Sequence, residues 1–182
     1  MMNRALIGKA RTGKTTIANY TVLKKGGTTA AFADPIRAAL LVMFGVLGLT
    51  PEHFEDDDLK DSEIPEIGLS PSQLMQRLGT EFGRNLVHPD IWIKVLKARN
   101  AEAIKANNLV VTDVRLPNEY QELKDMGFGM LHVQRPDAKQ VSAHSSEQGV
   151  AIQADDSVIV NDSSLESLFS KIDLWLAGDQ PS

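Results

Sequence analysis

The stretch "IGKARTGKTT", residues 7–16, decides the fold class of this 182-residue chain. Gly8 and Gly13 are followed by Lys14 and Thr15 in the order G-x-x-x-x-G-K-[ST], so the stretch matches the Walker A pattern in full. An apolar strand is predicted before it and a helix after it, which is the context in which such a loop holds phosphates. The sequence therefore predicts a site for a nucleoside triphosphate, most simply ATP.

The loop predicts a phosphate cradle built from backbone N–H groups and a helix N-terminus. Lys14 is expected to reach the β and γ phosphates, and the Thr15 hydroxyl is expected to be a ligand of Mg²⁺. The predicted ATP-binding residues of this loop are Gly8, Ala10, Arg11, Thr12, Gly13, Lys14, Thr15 and Thr16.

Apolar strands alternate with helices along the chain, which predicts an α/β fold with a parallel sheet. The five strands are expected near residues 5–7, 28–33, 107–113, 128–135 and 156–162. The helices are expected near residues 15–23, 34–47, 71–82, 90–106, 117–126 and 164–176. Ligands of such sheets bind beyond the carboxyl ends of the strands. The loop, Asp34, Asp113, Arg135 and Asn161 all follow strands and are expected at that edge.

The composition limits the function classes. There is no cysteine, so disulfides, thiolate metal sites and cysteine nucleophiles are excluded. The net charge of −5 argues against a protein whose main ligand is duplex DNA. No stretch approaches the roughly 18 apolar residues of a membrane span, and no signal peptide is visible. We expect a cytoplasmic protein with no membrane partner.

Residues 50–68 carry eight acidic side chains against one lysine. This bias predicts a solvated and mobile surface segment. The spacing lacks the glycine-punctuated pattern of a calcium loop, so a metal site is not expected there.

Three stretches carry candidate residues for a second substrate, and the first is "FADPIRAAL". Asp34 follows a strand and is either the N-cap of the next helix or a carboxylate beside the reacting phosphates. Arg37, one turn further, is a candidate for an acceptor phosphate, with a solvated helix residue as the alternative.

The second stretch is "LMQRLGTEFGRNLVHPDIWI". It combines an amide, guanidinium groups and aromatic rings, which suit base hydrogen bonds, phosphate clamps and stacking. Its candidate acceptor residues are Gln76, Arg77, Phe82, Arg84 and Trp92. Spacing alone favours core positions for Phe82 and Trp92.

The third stretch is "LVVTDVRLPNEY". The two-residue period of a strand places Asp113 and Arg115 on the same face at the catalytic edge. Asp113 could then hold a Mg²⁺-bound water, and Arg115 could neutralise a phosphate. A structural Asp–Arg pair is the alternative.

The blocks "SPSQLMQRLGTEFGR…DIWI", "VVTDVRLPNEY", "VQRP…HSSE" and "IVND" follow the loop in an order that resembles the deoxynucleoside monophosphate kinases of bacteriophages. The resemblance implies a single P-loop kinase domain over residues 1–182. It has an insertion of acceptor-binding helices at about 50–108 and a short lid at about 136–150. It also implies transfer of phosphate from ATP, with Mg²⁺, to a deoxynucleoside monophosphate. Glu119 then belongs to the acceptor side, and His144 and Glu147 to the lid.

Two positions depart from that family's pattern. Arg37 stands where the family has a lysine, and a guanidinium fork differs in geometry from an ammonium group. The lid has no arginine, which leaves Arg11, Arg115 and the flanking Arg135 as candidates to stabilise the transferring phosphate.

Two other functions stay open from the sequence. Related phage enzymes phosphorylate a hydroxymethyl group of 5-hydroxymethyluracil in DNA, and in that reaction Asp34 is the candidate base. A nucleotide-binding switch is the other alternative, although no N-K-x-D guanine signature is present. The resemblance also raises a homodimer, for which no interface is legible in the sequence.

Overall fold

The computed structural model describes residues 2–136 and 150–178. It confirms the predicted five-stranded parallel sheet flanked by helices. The strands are β1 (Arg4–Ile7), β2 (Thr28–Ala30), β3 (Leu109–Val114), β4 (Gly129–Gln134) and β5 (Ser157–Val160). They lie in the order β2-β3-β1-β4-β5, and every neighbouring pair is parallel.

Eight α-helices are found in the described part of the chain. They are α1 (Lys14–Lys25), α2 (Asp34–Phe44), α3 (Glu52–Glu55), α4 (Pro71–Gln76), α5 (Ile91–Arg99), α6 (Ala101–Lys105), α7 (Pro117–Asp125) and α8 (Leu165–Ala177). Short 3₁₀ turns cover Gly45–Leu47 and Leu59–Asp61, and a π-helix covers Arg77–Val87.

The chain forms two compact units. The first, here called the sheet unit, comprises Met1–Ala31 with Lys97–Ser182. The second, here called the helical unit, comprises Phe32–Leu96. The division into one domain with an insertion at about 50–108 stays a prediction.

The core of the sheet unit is built around β1, whose four residues are all buried. Leu6 packs with Ile17 of α1, Leu131 of β4 and Ile172 of α8 in one apolar cluster. Burying an aliphatic side chain of this kind stabilises the fold by roughly 1.5–3 kcal/mol. The sheet and the helices on it therefore fix the position of the loop that leaves β1.

The helical unit has its own core, which includes Ile36, Leu40, Leu49, Ile64 and Leu74. Ile64 lies inside the acidic stretch and is only 5% exposed. All eight acidic side chains of residues 50–68 are exposed, as a solvated segment requires. The stretch is nevertheless structured, because Ile64 is anchored in the core and pairs with Leu69 in a β-bridge.

Three local predictions differ from the structure. Asp34 is not an N-cap, because Ala33 holds that position and Asp34 lies in the first turn of α2. The helix expected to run to residue 82 changes from α to π geometry at Arg77. The helix expected over 90–106 is interrupted at Asn100, which separates α5 from α6.

Candidate active site

The loop between β1 and α1 approaches its neighbours too closely for side chains at its two glycines. Gly8 has φ +152°, and a Cβ there would lie 2.4 Å from the carbonyl oxygen of Val133. Gly13 has φ +102°, and a Cβ there would lie 2.7 Å from Nδ2 of Asn161. Both positions therefore require glycine. The result is a tight loop whose backbone leads directly into the N-terminus of α1.

Side chains of the loop brace its own carbonyl groups. Lys14 Nζ donates to the carbonyl oxygens of Gly8 at 2.7 Å and Lys9 at 2.5 Å. The buried Thr12 hydroxyl donates to the Lys9 carbonyl at 3.0 Å. Arg11 is held in the left-handed region at φ 62° and is exposed. Strained conformations of this kind persist where the surrounding contacts fix them, and they cluster at functional sites.

Asn161 is a residue for which sequence reasoning gave no role. It follows β5 directly, and its Nδ2 donates to the Thr12 carbonyl at 3.0 Å. The signal was its place after a strand, at the edge where the loop was expected. The contact joins the end of β5 to the phosphate loop across a sequence separation of 149 residues.

The end of β3 places further predicted residues at the same edge of the sheet. In the ladder Ile7 pairs with Val114, so Gly8 and Arg115 are the next residues along these neighbouring strands. Asp113 is half-buried and Arg115 is exposed. Arg135 is also exposed and follows β4, the neighbour of β1 on its other side.

Glu119 is buried and caps α7. Its Oε2 accepts the backbone N–H groups of Arg115 at 3.0 Å and Leu116 at 3.1 Å. An acidic side chain in this position satisfies helix donors that would otherwise lack an intrahelical partner. Glu119 thus fixes the backbone that carries the Arg115 side chain.

In the helical unit, Asp34 and Arg37 lie in the first turn of α2. Arg37 Nη1 is 3.5 Å from Asp34 Oδ1, and the two side chains are 42% and 47% exposed respectively. An exposed pair at this distance contributes little to stability. Both groups are thus accessible to a ligand.

The candidate acceptor residues from α4 to α5 all lie in the helical unit. Gln76 and Arg77 are exposed where α4 becomes the π-helix, and Arg84 is half-buried. Phe82 is 52% exposed. The expectation that Phe82 belongs to the core is therefore wrong, and its ring is available for stacking.

Trp92 packs on the π-helix. Its Nε1 donates to the Gly79 carbonyl at 2.7 Å. A Cβ on Gly83 would lie 2.5 Å from Cζ2 of the Trp92 ring. The side chain is half-buried and packs against the apolar cluster of the helical unit, so it lies at the edge of the core in which it was expected.

A second cluster of ionisable groups lies in the sheet unit, where sequence reasoning predicted none. The buried Asp156 carboxylate accepts from the Tyr120 hydroxyl at 2.8 Å and from the Gln153 backbone N–H at 2.9 Å. His132 Nε2 lies 2.9 Å from its Oδ2, and Lys124 Nζ lies 3.2 Å from its Oδ1. The one sequence signal was a histidine within an apolar strand.

The environment of this cluster shifts the pKa values of its members. Burial by itself raises the pKa of Asp156, but donation from the Gln153 backbone, Tyr120, His132 and Lys124 outweighs it, and the net pKa is lowered. Burial raises the pKa of Tyr120. The bonds of Lys124 to Asp155 and Tyr120 raise its pKa. The cluster therefore holds an Asp–Lys pair that is ionised at neutral pH and ties the start of β5 to α7.

The predicted lid at about 136–150, with His144 and Glu147, lies almost entirely outside the described residues.

The residues of the loop fit a triphosphate and its metal. The glycine cradle, which is the loop packed closely on Val133 and Asn161 at Gly8 and Gly13, leads its backbone into the N-terminus of α1, and Lys14 supplies a positive charge beside it. Thr15 is exposed in the first turn of α1. Within residues 2–136 and 150–178, no group of three or more His, Asp or Glu side chains is arranged to hold a metal ion. Mg²⁺ is commonly bound through one or two protein ligands together with substrate phosphates and water, and Thr15 is the ligand that the loop offers.

Comparison with known proteins decides the family. A family model described as "Deoxynucleotide monophosphate kinase" matches residues 59–172. The chain belongs to the deoxynucleotide monophosphate kinase family. The family match therefore confirms the predicted family and a phosphotransferase function. The matched region includes the π-helix, β3, α7, β4 and β5.

Relatives of this chain occur in a mimivirus and in bacteriophages. A protein of Acanthamoeba polyphaga mimivirus is 27% identical in an alignment of 185 positions that covers 92% of this chain and 92% of that protein. The deoxynucleotide monophosphate kinase of Escherichia phage RB69 is 37% identical over 103 residues, which is 56% of this chain and 42% of that protein. The enzyme of the same name from Enterobacteria phage T4 is 36% identical over 57% of this chain and 44% of its own length. The matches with these two phage enzymes thus span less than half of each.

Solved structures with a similar fold include other kinases. A sugar kinase from Janibacter aligns with a TM-score of 0.50 at 18% identity, over 97% of this chain and 95% of that one. The dephospho-CoA kinase of Campylobacter jejuni aligns with a TM-score of 0.50 at 13% identity, over 96% and 95%. At these identities the likeness establishes the fold alone. No helix in the described residues is long and apolar enough to cross a membrane.

Proposed function

We propose that this chain transfers the γ-phosphate of ATP to the phosphate of a deoxynucleoside monophosphate, which yields a diphosphate and ADP. The observation that carries the proposal is the glycine cradle of Gly8 and Gly13, in a chain that belongs to this kinase family. In the transfer, an oxygen of the acceptor phosphate attacks the γ-phosphorus. The bond from that phosphorus to the β,γ-bridging oxygen breaks, and ADP leaves.

The donor side of the proposal uses the sheet unit. Backbone amides from Ala10 to Thr16 and the Lys14 ammonium hold the β and γ phosphates. Thr15 would hold Mg²⁺, and Asp113 would bind one of its waters; the ion, when bound, neutralises phosphate charge. Arg115, Arg11 and Arg135 are the cations proposed to balance charge on the transferring group. Glu119 contributes by fixing the Arg115 backbone.

The acceptor side uses the helical unit. Arg37, Arg77 and Arg84 are proposed to hold the acceptor phosphate, since guanidinium groups bind phosphate through paired hydrogen bonds. Gln76 is proposed to bond the edge of the base, and the exposed Phe82 ring to stack on its face. The acceptor enters as an anion and needs no strong base, so Asp34 is proposed to orient Arg37.

The test is ADP release with ATP and Mg²⁺ over the four common deoxynucleoside monophosphates and modified pyrimidine nucleotides. We expect at least one of them to stimulate ADP release well above the rate of ATP hydrolysis alone. No stimulation by any of them would contradict the proposal.

We also propose where the protein acts and how it assembles. The site of action is proposed to be the cytoplasm of the host. A homodimer is also proposed, and sedimentation at assay concentration is the measurement that tests it.

A further inference from the structure

We infer that Trp92 is a positioning residue, which holds the π-helix in its register and thereby sets where the acceptor residues of that segment lie. The inference rests on the proposed acceptor role of this segment. It goes further by assigning different tasks to its two aromatic side chains. Phe82 provides the stacking surface, and Trp92 supports the backbone of the π-helix at Gly79 and Gly83.

The hydrogen-bonding group of Trp92 is engaged by the protein itself. An indole has one donor, its Nε1–H, and no acceptor. That donor bonds the Gly79 carbonyl at 2.7 Å, within the normal range for a good hydrogen bond. Trp92 therefore has no donor left to recognise the edge of a base.

The ring of Trp92 occupies a notch that only glycine can provide. A Cβ at Gly83 would lie 2.5 Å from Cζ2 and 2.8 Å from Cε2 and Nε1 of that ring. Gly83 has no left-handed φ, so its backbone would accept alanine. Glycine inside a helix is less favourable than alanine by about 1 kcal/mol. What Gly83 provides is space for Trp92.

This contact is linked to the register of the helix. The His88 N–H donates to the Gly83 carbonyl at 3.0 Å, which is the i to i+5 bond of a π-helix. Gly79 and Gly83 are the buried residues of the segment. Its backbone thus lies directly against Trp92, without intervening side chains.

Two apolar side chains of the π-helix are exposed to solvent. Phe82 and Leu86 are 52% and 78% exposed. The glycine face is buried instead, and Phe82 is left accessible to a ligand.

The test measures the KM for the preferred deoxynucleoside monophosphate and the KM for ATP in five variants. Gly83→Ala is expected to raise the acceptor KM by about 10- to 100-fold, the cost of misplaced contacts. Trp92→Phe keeps an aromatic ring but loses the N–H, and it is expected to raise the acceptor KM by about 2- to 10-fold. The ATP KM should stay within about twofold, because the residues proposed to hold ATP belong to the sheet unit, whereas Gly83 and Trp92 belong to the helical unit.

The control and the rescue separate positioning from stability. Gly45→Ala makes the same chemical change in the helical unit, where nothing lies within 4 Å of the added Cβ, and should change neither KM. In a Trp92→Leu background the ring is gone. There, Gly83→Ala should add less than about twofold to the acceptor KM, the non-additivity of two residues in contact.

The outcomes distinguish this inference from the proposed function. A normal acceptor KM in Trp92→Phe, or additive effects in the double variant, would overturn the inference while the enzyme still transfers phosphate. If Gly83→Ala does not fold, Trp92→Phe and the double variant decide the matter. Calorimetry that detects no binding of any deoxynucleoside monophosphate to the wild-type protein would overturn both.

Discussion

Lys14 combines a structural contact with a chemical one. Its ammonium group donates to the Gly8 and Lys9 carbonyls and lies at the start of α1, where the phosphates are proposed to bind. Lys14→Ala is expected to lower kcat by at least about 100-fold, the loss typical of one transition-state contact. Steady-state turnover with ATP and the preferred nucleotide measures it. Lys105→Ala, which removes an exposed lysine from α6, is the control, and near-normal turnover of Lys14→Ala would contradict the assignment.

Asn161 acts on the same loop through the Thr12 carbonyl. Asn161→Ala removes the side-chain donor of this 3.0 Å bond and is expected to raise the ATP KM by about 2- to 10-fold. The acceptor KM should not change. Asn19→Ala, an exposed position of α1, is the matched control. An unchanged ATP KM in Asn161→Ala would show that the loop holds its form without this contact.

Sequence could predict the loop residues because the Walker A pattern is local. Gly8, Gly13 and Lys14 are fixed by spacing within eight residues, and the structure gives each a contact that fits. The Asn161 contact spans 149 residues, and no local pattern reports a bond of that kind. Spacing alone favoured a core position for Phe82, but the buried residues of its segment are Gly79 and Gly83, because they pack against neighbouring side chains.

At the scale of elements, the Asp156 cluster ties α7, β4 and the start of β5 together. Asp156→Asn is expected to lower the free energy of unfolding by about 3–5 kcal/mol, because a buried charge network loses its anion. Urea unfolding near neutral pH measures it. Asp155→Asn is the control: that side chain is 72% exposed, and the loss should be much smaller.

The same cluster sets an acid limit on stability. The pKa of folded Asp156 is lowered, so its contribution is present above the unfolded pKa of about 4 and is lost as pH falls towards the folded pKa. The groups that face it are His132, Tyr120 and Lys124. The stability difference between wild type and Asp156→Asn should therefore shrink below about pH 4. A difference that stays constant from pH 6 to about pH 3 would contradict this reading.

The pattern of apolar residues along the sequence predicts some features of the strands and helices but not others. Strand alternation correctly predicted five parallel strands, because buried strands leave a clear apolar signal. The order β2-β3-β1-β4-β5 depends on crossovers that the pattern does not encode. The break at Asn100 and the π-helix depend on packing, since the glycines that permit the π-helix have a partner, Trp92, in another helix.

At the scale of the whole molecule, the net charge of −5 bears on the choice of acceptor. Binding to DNA depends on neutralising many phosphates, and an acidic protein is poorly suited to that. We expect labelled γ-phosphate to enter free deoxynucleoside monophosphates and not DNA that contains 5-hydroxymethyluracil. Both acceptors are compared at equal phosphate concentration and physiological salt. Efficient labelling of the DNA would favour the alternative acceptor.

The central place of β1 has a consequence for how the enzyme tolerates local opening. Its four buried residues are hydrogen-bonded to β3 on one side and β4 on the other, and the phosphate loop begins where it ends. Edge strands and surface helices fray first, so amides of residues 4–7 should be among the slowest to exchange with deuterium. A molecule that has lost the outer strands would still keep β1, from which the phosphate loop begins. Recovery from heat or denaturant would then start with this part of the donor site in place.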